Sequence, residues 1–336
     1  MTRMTTHHAD PRGTPPTDTN SDDTPSGNEL ARRGLAIARY ALTALACIWL
    51  AGFIGDNAHE LAALGDRVSK TGLAAAIGVA VVGLLPGALA WTRIAQGFER
   101  GLGTVEGTIA YLRSSAGKYT PGGALCFLMQ RRDLTERGLT LPRLVSIFAV
   151  TAIASIVSAS IVGLPAATLV FPLPLIALGA LAGLVGIAAA VALAQTAFGR
   201  RWIARGETAL GATLRTIVPA AIRSVPLLGV AWAISGLHVV ALAADIAGGV
   251  TLVEGALIVS AYAFACVVGV VFAALPGAVG IKDGALAMTL VPVLGAPAAA
   301  FLTVASRILI VAVDVAATAV LTAGRGLRGT STPQPA

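Results

Sequence analysis

The segment from Thr71 to Ala90 reads TGLAAAIGVAVVGLLPGALA and contains no charged residue. At a rise of about 1.5 Å per residue, a helix of this length spans about 30 Å, which is the thickness of the hydrocarbon core of a bilayer. Lipid offers no partner for backbone N–H and C=O groups, so such a segment is stable there as a helix. The segment is therefore predicted to be a transmembrane helix.

Apolar segments of similar length recur along the chain. The other predicted spans are Leu35 to Ile54, Leu144 to Leu164, Pro174 to Phe198, Val225 to Ala244, Glu254 to Leu275 and Ala298 to Ala323. The run from Gly284 to Gly295 is apolar but too short for an untilted crossing, so it is predicted to be a half-helix or part of a broken span. The predicted fold is an all-α polytopic membrane protein with about 7–8 transmembrane helices and two re-entrant or broken segments.

The overall composition supports a membrane protein. Of the 336 residues, 56% are hydrophobic and 12% are charged, and the mean hydropathy is +0.80. Soluble domains carry about 25% charged residues, so much of this surface is expected to face lipid. Residues 31–324 are predicted to form the transmembrane domain. Residues 1–30, rich in Thr, Pro, Asp, Ser and Gly, are predicted to be a disordered cytoplasmic tail, and residues 325–336 a short cytoplasmic tail.

The positive charges are unevenly placed, and their placement predicts orientation. The N-terminal part as far as Arg39, the segment from Trp91 to Arg143, the segment after the fourth span and the C-terminal tail together hold 20 of the 24 Lys and Arg residues. The positive-inside rule then places the N-terminus in the cytoplasm of a multi-pass protein of the cell (inner) membrane. This placement accounts for the net charge of +7 without a nucleic-acid partner. Scattered His and Cys residues predict no metal site and no cofactor.

An amphipathic pattern follows the second span. Between Gln96 and Leu112, apolar residues recur at helical spacing and form a single stripe. The residues of the stripe are Phe98, Leu102, Val105, Ile109 and Leu112. The pattern predicts a helix that lies at the membrane surface or extends the second span.

Two motifs combine a Pro-Gly helix breaker, a lysine and a short apolar run. They read KYTPGG at 118–123 and PGAVGIKDG at 276–284. Non-helical backbone at membrane depth persists where protein or a water-filled cavity satisfies its polar groups, and a helix that begins there presents its positive end. Two such elements in the halves of a transporter often meet at a substrate site. Alternatively, these residues mark loop turns at the membrane edge.

Two charged residues lie inside the last predicted span. Arg307 and Asp314 share one helix face about two turns apart, too far to pair directly. A charge at this depth costs about 2.5–3.5 kcal/mol on insertion scales, so each invites a functional interpretation. Each is expected to contact the Lys282–Asp283 break or a lipid head group, or else to be satisfied by neighbouring helices. Lys118 is predicted to hold a phosphate or to extend to the cytoplasmic interface.

With these motifs the sequence resembles the lysylphosphatidylglycerol synthase transmembrane region, also called the flippase-like domain family. The matching residues are Lys118, Tyr119, Pro121, Gly122, Gly123, Pro276, Gly277, Gly280, Lys282, Asp283, Gly284, Ser306, Arg307 and Asp314. All of these except Gly284 and Ser306 are also the candidate substrate-binding residues. The resemblance covers about Leu35 to Ala323. The chain departs from the family in that the span from Ser146 to Ser160 carries no charge.

The resemblance implies translocation of a lipid or a lipid-linked substrate. The expected partner is therefore a membrane lipid, anionic or lipid-linked, and a homo-oligomer or a cell-envelope enzyme is a further possible partner. No aminoacyl-transferase domain and no nucleotide-binding loop are expected, and the chain is interpreted as a protein other than an enzyme. Two alternatives stay open: a membrane-embedded enzyme acting on lipid head groups, and a non-transporting partner of a cell-envelope enzyme.

Overall fold

The computed structural model describes residues 58–120, 124–137, 139–173, 210–271 and 278–329, and all regular structure in these ranges is helical. The α-helices are α1 Ala58–Arg67, α2 Lys70–Phe98, α3 Thr104–Arg113, α4 Ala124–Leu134, α5 Leu141–Val170, α6 Leu210–Ala247, α7 Leu252–Val271, α8 Ala278–Leu294 and α9 Ala296–Gly329. A five-residue 3₁₀ helix, Ser115–Tyr119, lies between α3 and α4 and is called the 3₁₀ turn below.

Five of the described helices are long and apolar enough to cross a membrane. They are α2, α5 from Arg143, α6 from Pro219, α7, and α9 as far as Gly324. Five such helices in one chain indicate a multi-pass integral membrane protein. The predicted spans Leu35 to Ile54 and Pro174 to Phe198 and the predicted N-terminal tail lie outside the described residues, whereas residues 325–329 of the predicted C-terminal tail continue helix α9. The number of 7–8 crossings therefore stays a prediction.

Apolar side chains cover the outside of these helices. Ile161 on α5 is 66% exposed, and Val320 on α9 is 70% exposed. Phe148 and Val157 on α5 are also exposed. Apolar surface of this extent is unfavourable in water, so its location on the long helices agrees with contact to lipid.

Helices α2 and α6 pack antiparallel and are joined at both ends. At one end the Ser224 hydroxyl donates to the Ala90 carbonyl over 3.4 Å. At the other end the Ser69 hydroxyl, which caps α2, donates to Asp245 Oδ2 over 2.9 Å. The two helices run in opposite directions, so the start of α2 lies beside the end of α6 and the end of α2 lies beside the first half of α6.

Helices α5 and α7 approach closely at a glycine. A Cβ atom at Gly163 would lie 2.7 Å from the backbone nitrogen of Phe264, so no larger residue fits without displacing α7. One turn further on, the Ala166 N–H donates to the Ser260 hydroxyl over 2.9 Å. Small residues at helix interfaces allow this close backbone contact in membranes.

Helices α8 and α9 form an antiparallel hairpin around Gly295, whose φ is +81°. Helix α8 begins at Ala278 and has 17 residues, so it is about 25 Å long. The prediction of a dozen-residue half-helix starting at Gly284 is therefore wrong in its boundary. Gly280, Lys282 and Asp283 lie within the helix, because none of the residues from 278 to 284 breaks its hydrogen bonding.

The prediction of one amphipathic helix from Gln96 to Leu112 is also wrong. Helix α2 ends at Phe98 and α3 begins at Thr104, because the intervening residues include two glycines and the Gln96 amide donates to the Leu102 carbonyl. Val105, a residue of the stripe, is 72% exposed. Helix α3 instead folds back on α2 through Gly107, where a Cβ would lie 2.6 Å from the Thr92 side chain.

Candidate functional site

Asp314 is a fully buried carboxylate in α9. Its Oδ2 atom lies 2.7 Å from the Lys118 ammonium and accepts a 2.5 Å hydrogen bond from the Tyr119 hydroxyl. Its Oδ1 atom is buried and has no hydrogen-bond partner among the described residues. The two residues that open the first motif therefore converge on one carboxylate oxygen and leave the other oxygen unpaired.

The rest of the 3₁₀ turn is also hydrogen-bonded to α9. The Ser115 hydroxyl donates to the Asp314 carbonyl over 3.2 Å, and the Ala116 N–H donates to the Thr318 hydroxyl over 3.1 Å. The turn is held from behind by α4, since a Cβ at Gly117 would lie 2.4 Å from the Cys126 nitrogen. Gly117 thus allows α4 to pack closely against the turn, and this packing helps to position Lys118 and Tyr119.

Arg307 lies between the two motifs. Its guanidinium is 3.5 Å from Asp283 Oδ2 on α8 and 5.7 Å from the ring centre of Tyr119. The pairing with α8 follows from the hairpin, because Asp283 and Arg307 are equally distant from Gly295 in sequence. One side chain of α9 therefore contacts residues of both motifs.

Lys282 has a different environment from the other two cations. Its ammonium lies 4.8 Å from the ring centre of Tyr262 on α7. Its aliphatic part packs over Gly269, where a Cβ would come within 3.1 Å of the lysine Cβ. In the described part of the chain it has no carboxylate partner and no hydrogen bond. A cation over an aromatic face is attracted by the ring while its N–H groups stay free for another acceptor.

Tyr262 is held in turn by His238. The two rings meet edge to face with centres 5.0 Å apart. His238 Nδ1 contacts the Ser235 carbonyl, which can only accept, so Nδ1 carries the proton and Nε2 accepts from the Ser306 hydroxyl at 2.7 Å. His238 on α6 therefore forms a hydrogen bond to Ser306 on α9. Its part in this cluster, and that of Tyr262, was not predicted.

The charges at the site do not balance. Lys118, Lys282 and Arg307 supply three positive charges, and Asp283 and Asp314 supply two negative charges. Burial and the neighbouring Asp314 carboxylate raise the pKa of Tyr119, so its phenol stays protonated and donates. Within the described ranges, no three His, Cys, Asp or Glu side chains are placed to hold a metal ion.

An apolar cavity of about 310 Å³ adjoins the charged turn of α8. It lies between the end of α5, α7 and α8, and its lining includes Phe171, Phe264, Val268, Ile281 and Met288. Ile281 and Gly284, which flank Lys282 and Asp283 in sequence, both line it. Charged and apolar surfaces thus lie side by side on the same turn, an arrangement that suits an amphipathic molecule.

The structure brings together five predicted site residues around α9, and Lys282 precedes one of them, Asp283, on α8 and packs against Tyr262 of α7. Those five are Lys118, Tyr119, Asp283, Arg307 and Asp314. Gly280 lies exposed in the first turn of α8. The predicted residues outside the described ranges are Pro121, Gly122, Gly123, Pro276 and Gly277. Whether the chain is broken there at membrane depth stays a prediction.

Comparison of the chain with protein-family models, with curated proteins and with solved structures gives no match.

Proposed function

We propose that the protein is a flippase-like translocase that binds an anionic lipid or a lipid-linked substrate between its two motifs. The observation that carries this proposal is the meeting of the motifs on α9. Residues 118–119 and Asp283, far apart in sequence, contact Asp314 and Arg307, and Lys282 beside Asp283 adds a third positive charge. The resemblance to the flippase-like domain family belongs to the same proposal.

The energetics of the cluster favour a binding role. Ionisable groups in the membrane part of a protein are costly and are usually paired, or else they mark a substrate pathway. Lys118 and Arg307 are paired, but within the described residues the Lys282 ammonium and the Oδ1 atom of Asp314 have no partner. A head group with an anionic oxygen and a donor hydroxyl or amine supplies partners for both.

The site residues take distinct roles in this proposal. Lys282, Arg307 and Lys118 provide positive charge to a phosphate, and Asp283 and Asp314 orient the cations or carry protons. The apolar cavity beside Ile281 takes part of the acyl chain. The proposal keeps the predicted setting, an inner membrane with the N-terminus in the cytoplasm.

Lipid scrambling in reconstituted vesicles tests the proposal. The purified protein is inserted into vesicles that contain fluorescent phosphatidylglycerol, and a membrane-impermeant quencher is added outside. The wild type is expected to expose the label of both leaflets to the quencher, and Lys282→Ala with Arg307→Ala is expected to abolish this exposure.

The matched control is Arg131→Ala with Arg132→Ala, which removes two exposed cations of α4 outside the cluster. A wild type that leaves the inner leaflet protected contradicts translocation. A double cluster variant that scrambles like the parent contradicts the site. Release of a modified head group by the purified protein alone would indicate an enzyme instead.

A further inference from the structure

The three cations of the site differ in what lies against them. Lys118 and Arg307 each lie against a carboxylate, whereas Lys282 lies against the ring of Tyr262. Each of the two ion pairs is neutral as a unit. The cluster as described therefore carries one uncompensated positive charge, and that charge is on Lys282.

We propose that the site selects a lipid whose head group carries one negative charge, a phosphodiester, and that the Lys282 ammonium contacts its phosphate. The inference rests on the proposed function, since it names the substrate class of the same site. A phosphodiester brings the cluster to neutrality. A phosphate monoester or a diphosphate leaves negative charge in excess, and a zwitterionic head group leaves the positive charge uncompensated.

Uncompensated charge is expensive in this environment. An ion that leaves water for a low-dielectric site loses several kcal/mol of hydration, and a partner of opposite sign must replace that loss. The number of charges on the head group therefore decides affinity more than its shape does. A single charge on the protein matches a single charge on the ligand.

Lys282 is the cation best placed to meet the ligand first. Contact with Lys118 or Arg307 requires a phosphate to compete with Asp314 or Asp283, but contact with Lys282 breaks no ion pair. The ring of Tyr262 and the close packing on Gly269 hold the lysine in place without using its N–H groups. The neighbouring Ile281 and Gly284 line the apolar cavity that is available to an acyl chain.

A series of charge variants tests the inference. Lys282→Gln lowers the charge of the cluster by one, and Asp283→Asn raises it by one with little change in shape. Lys282→Arg keeps the charge and shows whether the position tolerates substitution. Lys70→Gln removes a lysine at the start of α2, outside the cluster, and is the matched control.

Binding is measured on the purified full chain with phosphatidylglycerol, phosphatidic acid and phosphatidylcholine. The pH is 8, well above the second pKa of about 6 that is typical of phosphate monoesters. The wild type and Lys70→Gln are expected to prefer phosphatidylglycerol. Since a hydrogen bond to a charged group contributes about 1.5–3 kcal/mol, Lys282→Gln is expected to weaken phosphatidylglycerol binding about tenfold or more. Lys282→Arg is expected to keep the preference.

The opposite variant gives the sharpest result. Asp283→Asn is expected to shift the ratio of phosphatidic acid to phosphatidylglycerol binding about tenfold toward the dianion. Equal binding of all three lipids by the wild type, or equal effects of Lys282→Gln and Lys70→Gln, would overturn the inference. The assay needs no transport. Preference without scrambling contradicts translocation alone, and scrambling without preference contradicts this inference alone.

Discussion

Two ion pairs lie seven residues apart on α9, and they differ in burial and in geometry. Asp314 is fully buried, and its pair with Lys118 is 2.7 Å long. The Arg307–Asp283 pair is 3.5 Å long, and its side chains are 32% and 28% exposed. Asp314 also accepts from Tyr119, and its backbone carbonyl accepts from Ser115.

The difference indicates two roles for similar pairs. A buried carboxylate cannot lose its partner without a large penalty, so the Lys118–Asp314 pair fastens the 3₁₀ turn to α9. A partly exposed pair contributes little to stability, so the Arg307–Asp283 pair can exchange its partner for a ligand at small cost. The first pair therefore holds the 3₁₀ turn on α9, and of the two pairs the second exchanges its partner for a ligand more readily.

The largest effect on stability is expected for Asp314→Ala. The substitution leaves Lys118 and Tyr119 without their acceptor. Because the Lys118 side chain is 47% exposed, the loss is expected to stay below the cost of about 3–5 kcal/mol for breaking a fully buried ion pair. Thermal unfolding of the protein in detergent measures the loss as a lower midpoint. Asp66→Ala, which removes an exposed carboxylate of α1, is the control and is expected to leave the midpoint unchanged. Equal midpoints for the two variants would show that Asp314 does not stabilise the attachment of the 3₁₀ turn to α9.

A smaller effect is expected for Tyr119→Phe. The substitution removes the hydroxyl that donates to Asp314 and keeps the ring beside Arg307. Hydrogen bonds to charged groups contribute about 1.5–3 kcal/mol, so the unfolding midpoint should fall by less than in Asp314→Ala. Tyr111→Phe, which keeps its ring against Trp91, is the matched control. A drop as large as that of Asp314→Ala would indicate that the hydroxyl, and not the lysine, holds the turn.

The smallest effect on stability is expected for Asp283→Asn. The Arg307 pair is partly exposed, and such pairs contribute about 0–1 kcal/mol. Its unfolding midpoint should therefore stay close to that of the wild type, although the lipid preference is expected to change. Destabilisation on the scale of Asp314→Ala would remove the distinction between the two pairs.

The sequence predicted the long helices well but predicted the site only in part. Hydropathy locates α2, α5, α6, α7 and α9, because each buries its backbone polar groups within itself and needs an apolar surface toward lipid. The predicted contact of Arg307 with the Lys282–Asp283 segment is confirmed for Asp283.

Contacts between helices that are far apart in the chain could not be predicted from the sequence. Nothing in the local pattern pairs Lys118 with Asp314, and Tyr262 is one of two aromatic residues in the apolar helix α7. The prediction of one continuous helix through Val105 was wrong because the helical spacing of apolar residues does not show where glycines end a helix. Here the helix ends at Phe98, before the two glycines. Side-chain partners depend on packing, which periodicity does not specify.

Cross-linking of the 3₁₀ turn to α9 tests the central claim most directly. In a chain with Cys47, Cys126 and Cys266 changed to Ser, cysteines are placed at Ala116 and Thr318, whose backbone N–H and hydroxyl are 3.1 Å apart. The positive control is a cysteine pair at Ser69 and Asp245, and the negative control pairs position 116 with Ile308 on the exposed face of α9.

Oxidation of membranes is expected to join positions 116 and 318 as fully as positions 69 and 245, with no product for 116 and 308. A pair at 116 and 318 that stays reduced, while the positive control forms its disulfide, would contradict the convergence of the two motifs on α9.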